Sequence, residues 1–426
     1  MLENNEILIV NIISWAIITI VFYRKRKEID SAVFLLLTFF VYSVCSYLTF
    51  NYEYSPFKNK TLTLLPFVYL FLMILLTMSP ILRFDITKIK SFPNRNYQVL
   101  DILLWTYITC MIIKLPFDLS HIQEGIYRIM TNQGGDLYTD VMNEGRHHGG
   151  AYVISSIPSI FINITNEIVI LIAFYNLLKK RKKRLTIYTF IAIVLTPLGS
   201  IANGQRGGAF DVIIIVLGTY FLFAPILERK IKRLARKVGI IALGCLLVPI
   251  IALTISRFGS RGEGQAEQSV YSYMGQQNIN FDLYAFDNNG LRYGDRVFPL
   301  FKKMFGFDNV PNDFWERRMK YPNLKINDEV FIGYIGDFLL DFGPWVSTTL
   351  FIIFTIIFLR MTNTDNRICY FHQLLVLQFV LTLGLQGGLK LYPFADTFAL
   401  KIFTFGLLYI YMRFNTSIAQ RNTKIA

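Results

Sequence analysis

An all-α, polytopic helical membrane protein of about eleven transmembrane helices, with a large external loop capping the bundle, is the fold class this sequence predicts. Three observations carry it. Hydrophobic residues make up 53% of the 426 residues, and the mean hydropathy of +0.42 is too high for a water-soluble chain of this length. The apolar residues fall in runs of roughly 20, enough to cross a hydrocarbon core at about 1.5 Å of helical rise per residue. The basic residues cluster just past the ends of those runs, at 24–27, 179–184 and 229–237.

That clustering decides how the net charge of +14 is read. Basic segments beside apolar runs mark cytoplasmic loops and attract anionic headgroups. They do not form a nucleic-acid-binding surface, and no nucleic acid is expected as a partner. Cys45, Cys110, Cys245 and Cys369 all lie inside apolar runs without metal-ligand spacing, so they read as small core hydrophobes. The first run lacks a basic n-region and a small-residue cleavage site, which makes it a retained helix rather than a leader.

With the basic clusters placed in the cytoplasm, the path alternates across the membrane. The acidic N-terminus lies outside. Spans at 7–23, 31–50, 61–82, 97–114 and 151–178 follow, with an external loop at 116–150 between the fourth and fifth. Spans at 185–202 and 209–227 form a hairpin whose tip is external, and a span at 238–256 exits into the longest polar segment, 257–328. The last three spans descend to about residue 360, rise over 368–383 and descend over 396–412, leaving the C-terminus cytoplasmic. The organisation is thus 1–256 with eight helices and the 116–150 loop, 257–328 as the large external loop, and 329–426 with an acidic helix and the last three spans. The large loop holds ten Lys/Arg against nine Asp/Glu, interleaved with Tyr271, Tyr273, Tyr284, Tyr293, Trp315 and Tyr321. Such a near-neutral aromatic mixture suits a sugar chain, and it equally suits a loop with a small aromatic core of its own. No internal repeat is present.

Candidate chemistry begins at the hairpin tip, Asn203-Gly204-Gln205-Arg206-Gly207-Gly208. Gly207 and Gly208 bare backbone N–H groups beside the Arg206 guanidinium, an arrangement that suits an anion, and Asp211 is placed to steady the arginine. The competing reading is an arginine that snorkels to headgroup phosphates. Arg257 and Arg261, four residues apart where the eighth span ends, share one face if the helix continues and offer two forks to a pyrophosphate. Arg292 and Arg296 repeat that spacing in mid-loop. Glu329, Asp337 and Asp341 are spaced by eight and four on an otherwise apolar stretch, so one helical face carries all three. A desolvated carboxylate there suits a general base, and a salt bridge to a loop arginine is the alternative. His147 and His148 read as loop histidines. Glu167 lies in mid-span, where a charge needs a cavity or a partner such as Lys401.

This arrangement resembles the oligosaccharide repeat-unit polymerases of bacterial surface polysaccharide assembly, the Wzy-type O-antigen and capsular polysaccharide polymerases. The resemblance is carried by the external hairpin with Gly-Gln-Arg-Gly-Gly, the arginine-bearing external loop, and Gly-Asp-Phe-Leu-Leu-Asp-Phe-Gly leading into a long apolar helix. It implies an inner-membrane glycosyltransferase that joins undecaprenyl-pyrophosphate-linked oligosaccharide units at the outer face, beside membrane lipids and in company with flippase and chain-length regulator proteins. The related O-antigen ligases place a histidine ahead of the acidic-glycine stretch, where this chain has Asn327-Asp328-Glu329. In the polymerase reading Arg206, Arg257 and Arg261 hold the pyrophosphate, and Glu329, Asp337 or Asp341 deprotonates or orients the acceptor. Without an Asp-x-Asp motif or a His/Cys cluster outside the spans, no cofactor and no required metal ion are expected. The rival from another class is a flippase for the lipid-linked unit, for which Glu167 and Lys401 are the best support.

Overall fold

The computed structural model describes residues 3–93, 97–131, 133, 135, 153–258, 264–312, 314–325, 330–364, 367–387 and 399–425. Among them the chain is helical, with one isolated parallel bridge, between Ser91 and Ile368. In order, the helices are α1 (Asn4–Arg26), α2 (Ser31–Asn51), α3 (Leu64–Thr77), α4 (Ser79–Arg83), α5 (Tyr97–Met130), α6 (Val153–Leu178), α7 (Lys183–Leu195) and α8 (Leu198–Ala202). Then come α9 (Gly207–Phe223), α10 (Arg229–Phe258), α11 (Gln265–Asn280), α12 (Pro299–Met304), α13 (Phe314–Lys320), α14 (Gly333–Met361), α15 (Phe371–Gln386) and α16 (Leu400–Ile425). Eight described helical segments, α7 with α8 counted as one, are long and apolar enough to cross a membrane, and α3 and α15 are shorter apolar helices. The multi-pass, all-α expectation is met.

The outward faces show why these helices need lipid. On α1, Ile9, Val10, Ile13, Ile17 and Ile20 are all exposed at helical spacing. Val238, Ile241, Val248, Ile251 and Ile255 repeat the stripe on α10. Contiguous apolar surface on that scale is untenable in water and at home in hydrocarbon.

Several boundaries differ from expectation for local reasons. Pro116 does not open a loop, because α5 runs through it to Met130. A membrane helix tolerates a proline where neighbours re-satisfy the freed carbonyl. The span expected at 185–202 is broken around Pro197 into α7 and α8. The basic cluster at 229–237 is the first part of α10 rather than a loop. Residues from Arg413 onward, expected as a tail, continue α16 to Ile425. Helix α14 turns at Gly343, whose φ of 72° and ψ of 172° lie outside the helical region and favour glycine. The consequence is large: Phe338 meets Phe351 at 5.2 Å between ring centroids. In a straight helix thirteen residues apart would be about 20 Å. The acidic stretch therefore folds back on the long apolar helix that follows it.

Two compact units form, Met1–Arg95 with Tyr271–Ala426, and Asn96–Val270. In the first, Trp15 of α1 stacks on Phe39 of α2 at 5.0 Å. Arg26 bridges Asp30 at 3.3 Å and Asp85 at 2.9 Å and donates to the carbonyls of Leu82 and Phe84, so this member of the first basic cluster is a structural tie. Gly275 brings α11 so close to α2 that a Cβ would lie 2.3 Å from the Cys45 carbonyl carbon. Ser46 seals that crossing by donating to the Gly275 carbonyl at 2.7 Å and accepting from Asn278 Nδ2 at 2.9 Å.

Beyond α11 the chain makes one π-helical turn, Phe281–Ala285. Its Asp282 carboxylate accepts from the backbone N–H and the hydroxyl of Thr63. Burial raises the Asp282 carboxyl from its ordinary value to about 6, against the lowering effect of those bonds. The folded chain thus holds this proton more tightly than the unfolded chain does. Its contribution to stability is full below about pH 4 and lost as pH rises through about 6. Thermal unfolding of the protein and of Asp282→Asn across pH 5 to 8 should show the difference shift in favour of the variant over that interval. A pH-independent difference would remove Asp282 from the titration.

The second unit is built around α6. Its residues Ile168, Val169, Ile170, Leu171, Ile172 and Ala173 are all fully buried, the mark of a helix covered on every side. The Tyr107 hydroxyl donates to Asn166 Oδ1 at 2.7 Å and lies 2.9 Å from Thr196 Oγ1, giving this interior a short polar seam beside the buried Glu167. Asp101 receives Arg181 at 2.9 Å and Lys182 at 2.8 Å and closes the α6–α7 turn.

Candidate functional site

In the second unit the polar island is a tight turn between α8 and α9. The N–H groups of Asn203, Gly204 and Gln205 donate to the carbonyls of Gly199, Ile201 and Ser200. Gly204 sits at φ 70°, the left-handed region, which only glycine enters without strain. Arg206 then occupies the N-cap of α9 and Gly207 its first turn. The N–H groups of Gly207 and Gly208 are among those a helix start leaves without intrahelical acceptors, at the positive end of the helix dipole. At Gly208 a Cβ would stand 2.5 Å from Ser200 Oγ, so α8 and α9 meet only because no side chain intervenes.

Arg206 does not snorkel. It is 8% exposed, and its guanidinium donates to Thr254 Oγ1 at 3.2 Å, Ser269 Oγ at 3.3 Å and the Ser269 carbonyl at 3.3 Å. Arg257, 51 residues further along the chain, comes to the same place and donates to the Gly204 carbonyl at 3.2 Å. Phe258 is the common platform, its ring 5.0 Å from the Arg206 guanidinium carbon and 5.2 Å from that of Arg257. Two cations of like sign on one ring repel each other, and an anion between them relieves that repulsion. Asp211 is half-buried one turn into α9. Helix α10 ends at Phe258, and Arg261, expected to extend the cationic face, lies outside the described residues.

The turn is buttressed by the second half of α5. Gly125 lies under α8, where a Cβ would approach the Ala202 carbonyl oxygen to 2.5 Å, and Gly199 of α8 faces the Lys114–Asp118 pair. Gly125→Ala forces these backbones apart and should cost about 1 to 3 kcal/mol. Thermal unfolding measures the effect. Unchanged unfolding would mean that α5 yields without moving α8.

In the first unit, Arg292 and Arg296 sit on a run of turns and not on a helix, so their four-residue spacing does not define a face. Both are buried all the same, at 2% and 1% exposure. The run is strapped to α14: Arg292 N–H donates to the Leu340 carbonyl at 2.9 Å and Tyr293 N–H to that of Asp341 at 3.0 Å. The Asp341 carboxylate accepts the N–H groups of Arg296, at 3.1 and 3.2 Å, and Val297, at 2.6 Å. Asp337 takes Arg296 Nε at 2.6 Å. Asp337 and Asp341 therefore share one helix face, as their spacing requires, and that face meets the arginine turn. Glu329, His147 and His148 lie outside the described residues.

Asp295 was not singled out from the sequence, yet it is the ionic centre of this cap. Fully buried, it receives Lys302, Lys320 at 2.6 Å and the Tyr321 hydroxyl at 2.8 Å. Arg317, 1% exposed, donates to its backbone carbonyl at 3.3 Å. Burial alone would raise the Asp295 carboxyl, but the bonds from Lys302, Lys320 and Tyr321 outweigh it and hold the carboxyl below the usual range. Burial, and then Asp295, push the Tyr321 phenol up. A charged cluster, more than an aromatic one, thus organises the described part of the large loop. No group of three or more His, Cys, Asp or Glu side chains suited to a metal occurs among the described residues.

Comparisons with curated proteins and with solved structures find no significant match. A family model does match, that of the O-antigen polysaccharide polymerase Wzy, over residues 1–296. That span takes in Arg206, Arg257, Arg292 and Arg296, and it covers well over half of the 426 residues. The chain belongs to the O-antigen polysaccharide polymerase Wzy family.

Proposed function

We propose that this protein polymerises undecaprenyl-pyrophosphate-linked oligosaccharide units into surface polysaccharide by glycosyl transfer at the outer face of the bacterial inner membrane. O-antigen polymerisation is what the family stands for. The lipid pyrophosphate, the face and the residues are our reading. One observation carries it: Arg206 and Arg257, remote in sequence, meet at Phe258 beside the half-buried glycines that start α9.

In this reading an acceptor hydroxyl oxygen attacks the anomeric carbon of a second unit, and the bond from that carbon to pyrophosphate oxygen breaks. The electron pair leaves with the lipid pyrophosphate, whose growing charge the two guanidiniums and the Gly207 and Gly208 N–H groups stabilise. The hydroxyl proton passes to a carboxylate. Asp337 and Asp341 spend oxygens on the Arg292–Arg296 turn, so we assign them to orienting that turn, and Arg292, Arg296 and Arg261 keep the role of substrate-binding candidates. Glu329 keeps the role of base.

The test is reconstitution of purified protein in vesicles supplied with the undecaprenyl-pyrophosphate-linked unit. A polymer ladder is expected, with one undecaprenyl pyrophosphate released per new glycosidic bond. Movement of the unit across the bilayer with no polymer would make the protein a flippase instead.

A further inference from the structure

Within the first unit a cavity of about 310 Å³ opens between α14, α15 and α16. Its lining is carbon almost throughout, with Phe351, Phe354, Phe358, Leu375, Phe379 and Phe405 among the side chains that form it. Helix α15 packs against both α14 and α16 and supplies the floor. Gly406 of α16 omits a side chain here: a Cβ would meet nothing within 4 Å. From Phe351 to Met361 the cleft follows about 15 Å of helix. A space with so few polar partners does not hold ordered water, and a chain that spans a membrane offers it hydrocarbon instead.

The two ends differ in chemistry. Phe298 and Phe301 close one of them, Phe301 stacking on Phe403 at 5.0 Å. Met361 and Tyr409 mark the other, and Tyr409 brings a polar group to it. Arg413, exposed, donates to the Tyr409 hydroxyl at 3.2 Å, with its guanidinium 5.9 Å from the ring centroid. Arg360, also exposed, immediately precedes Met361. The His372 ring lies 5.5 Å from Tyr409, and its buried Nδ1 has no hydrogen-bond partner among the described residues. An apolar slot with the Arg413 guanidinium at one rim is complementary to a molecule with a hydrocarbon chain and an anionic head.

We infer that this cleft is a binding site for an anionic phospholipid, one acyl chain lying between α14 and α16 and the phosphate on Arg413. The charge at this rim fits a bilayer phospholipid, the lipid pyrophosphate being assigned to Arg206 and Arg257. The lipid would brace α16 against α14 in place of a side chain at 406. The inference does not depend on how the polymerase reaction proceeds.

Native mass spectrometry of the purified full chain in detergent tests it, with phosphatidylglycerol, phosphatidylcholine and undecaprenyl phosphate as the probes. Phosphatidylglycerol should be retained about tenfold more tightly than phosphatidylcholine, the size of one charge-assisted hydrogen bond. Arg413→Gln should bring phosphatidylglycerol down to the phosphatidylcholine level. Gly406→Phe, which fills the slot, should lower retention of both. Equal retention of the two phospholipids by the unaltered protein overturns the inference without recourse to any variant. So does undiminished phosphatidylglycerol on both variants at unchanged gel-filtration profile. Undecaprenyl phosphate displacing phosphatidylglycerol at equal concentration would also overturn it and make the cleft part of the substrate path.

Discussion

Arg206→Ala lowers the rate of polymer formation by about 10²- to 10³-fold, the loss expected when one preorganised donor to a leaving oxyanion is removed. Arg206→Lys falls nearly as far. A lysine keeps the charge, but a compact ammonium on a flexible stem cannot reach Thr254 and Ser269 together while lying over Phe258. The measurement is the initial rate in reconstituted vesicles, with polymer length on gels and protein level controlled. Because Arg206 also ties the start of α9 to Ser269, unfolding temperatures must accompany the rates. A variant that keeps its unfolding temperature and loses its rate places the effect in the reaction. Long polymer from well-expressed Arg206→Ala would end the clamp assignment.

The second large effect is on stability. Asp337→Asn should destabilise the protein by about 3 to 5 kcal/mol, since it removes the carboxylate that Arg296 meets while both side chains are buried. Replacing both partners together, Arg296→Met with Asp337→Leu, should recover most of that loss, because the isolated charge costs more than the absent pair. Thermal unfolding of the two single variants and the double variant completes the cycle. The outcome also separates two roles for Asp337. A normally stable but inactive Asp337→Asn would return it to the candidates for general base, whereas an unstable one whose double variant folds keeps it with the arginine turn.

The membrane architecture was legible because it depends on a one-dimensional property. A run of about 20 apolar residues has few options other than a buried or lipid-facing helix. Interruptions are less legible. Pro116 marks a loop in the usual grammar of soluble chains, yet α5 passes through it because its second half has Gly125 to press against α8. At Gly343-Pro344, where the acidic stretch leads into the long apolar helix, composition marks a junction but not its angle, and the chain reverses because Phe338 gains Phe351 and Ser347 donates to the Phe338 carbonyl at 2.9 Å. Whether a proline or glycine breaks a helix is decided by the surface waiting on either side of it, which local composition does not contain.

The same division runs through the site. From sequence alone came the fold class, the arginine in its glycine setting at the head of α9, the acidic face of Asp337 and Asp341, and the resemblance that the family match at 1–296 supports. These depend on residue type and on spacing within a single element. Only the tertiary structure decided that Arg257 reaches the Gly204 carbonyl, that Phe258 underlies two guanidiniums, that Arg292 and Arg296 are buried on turns, and that Asp295 gathers Lys302, Lys320 and Tyr321. Each of those contacts joins separate elements or distant turns. A charged side chain selects its partner from whatever the packed helices bring within about 4 Å, and that choice is made in three dimensions.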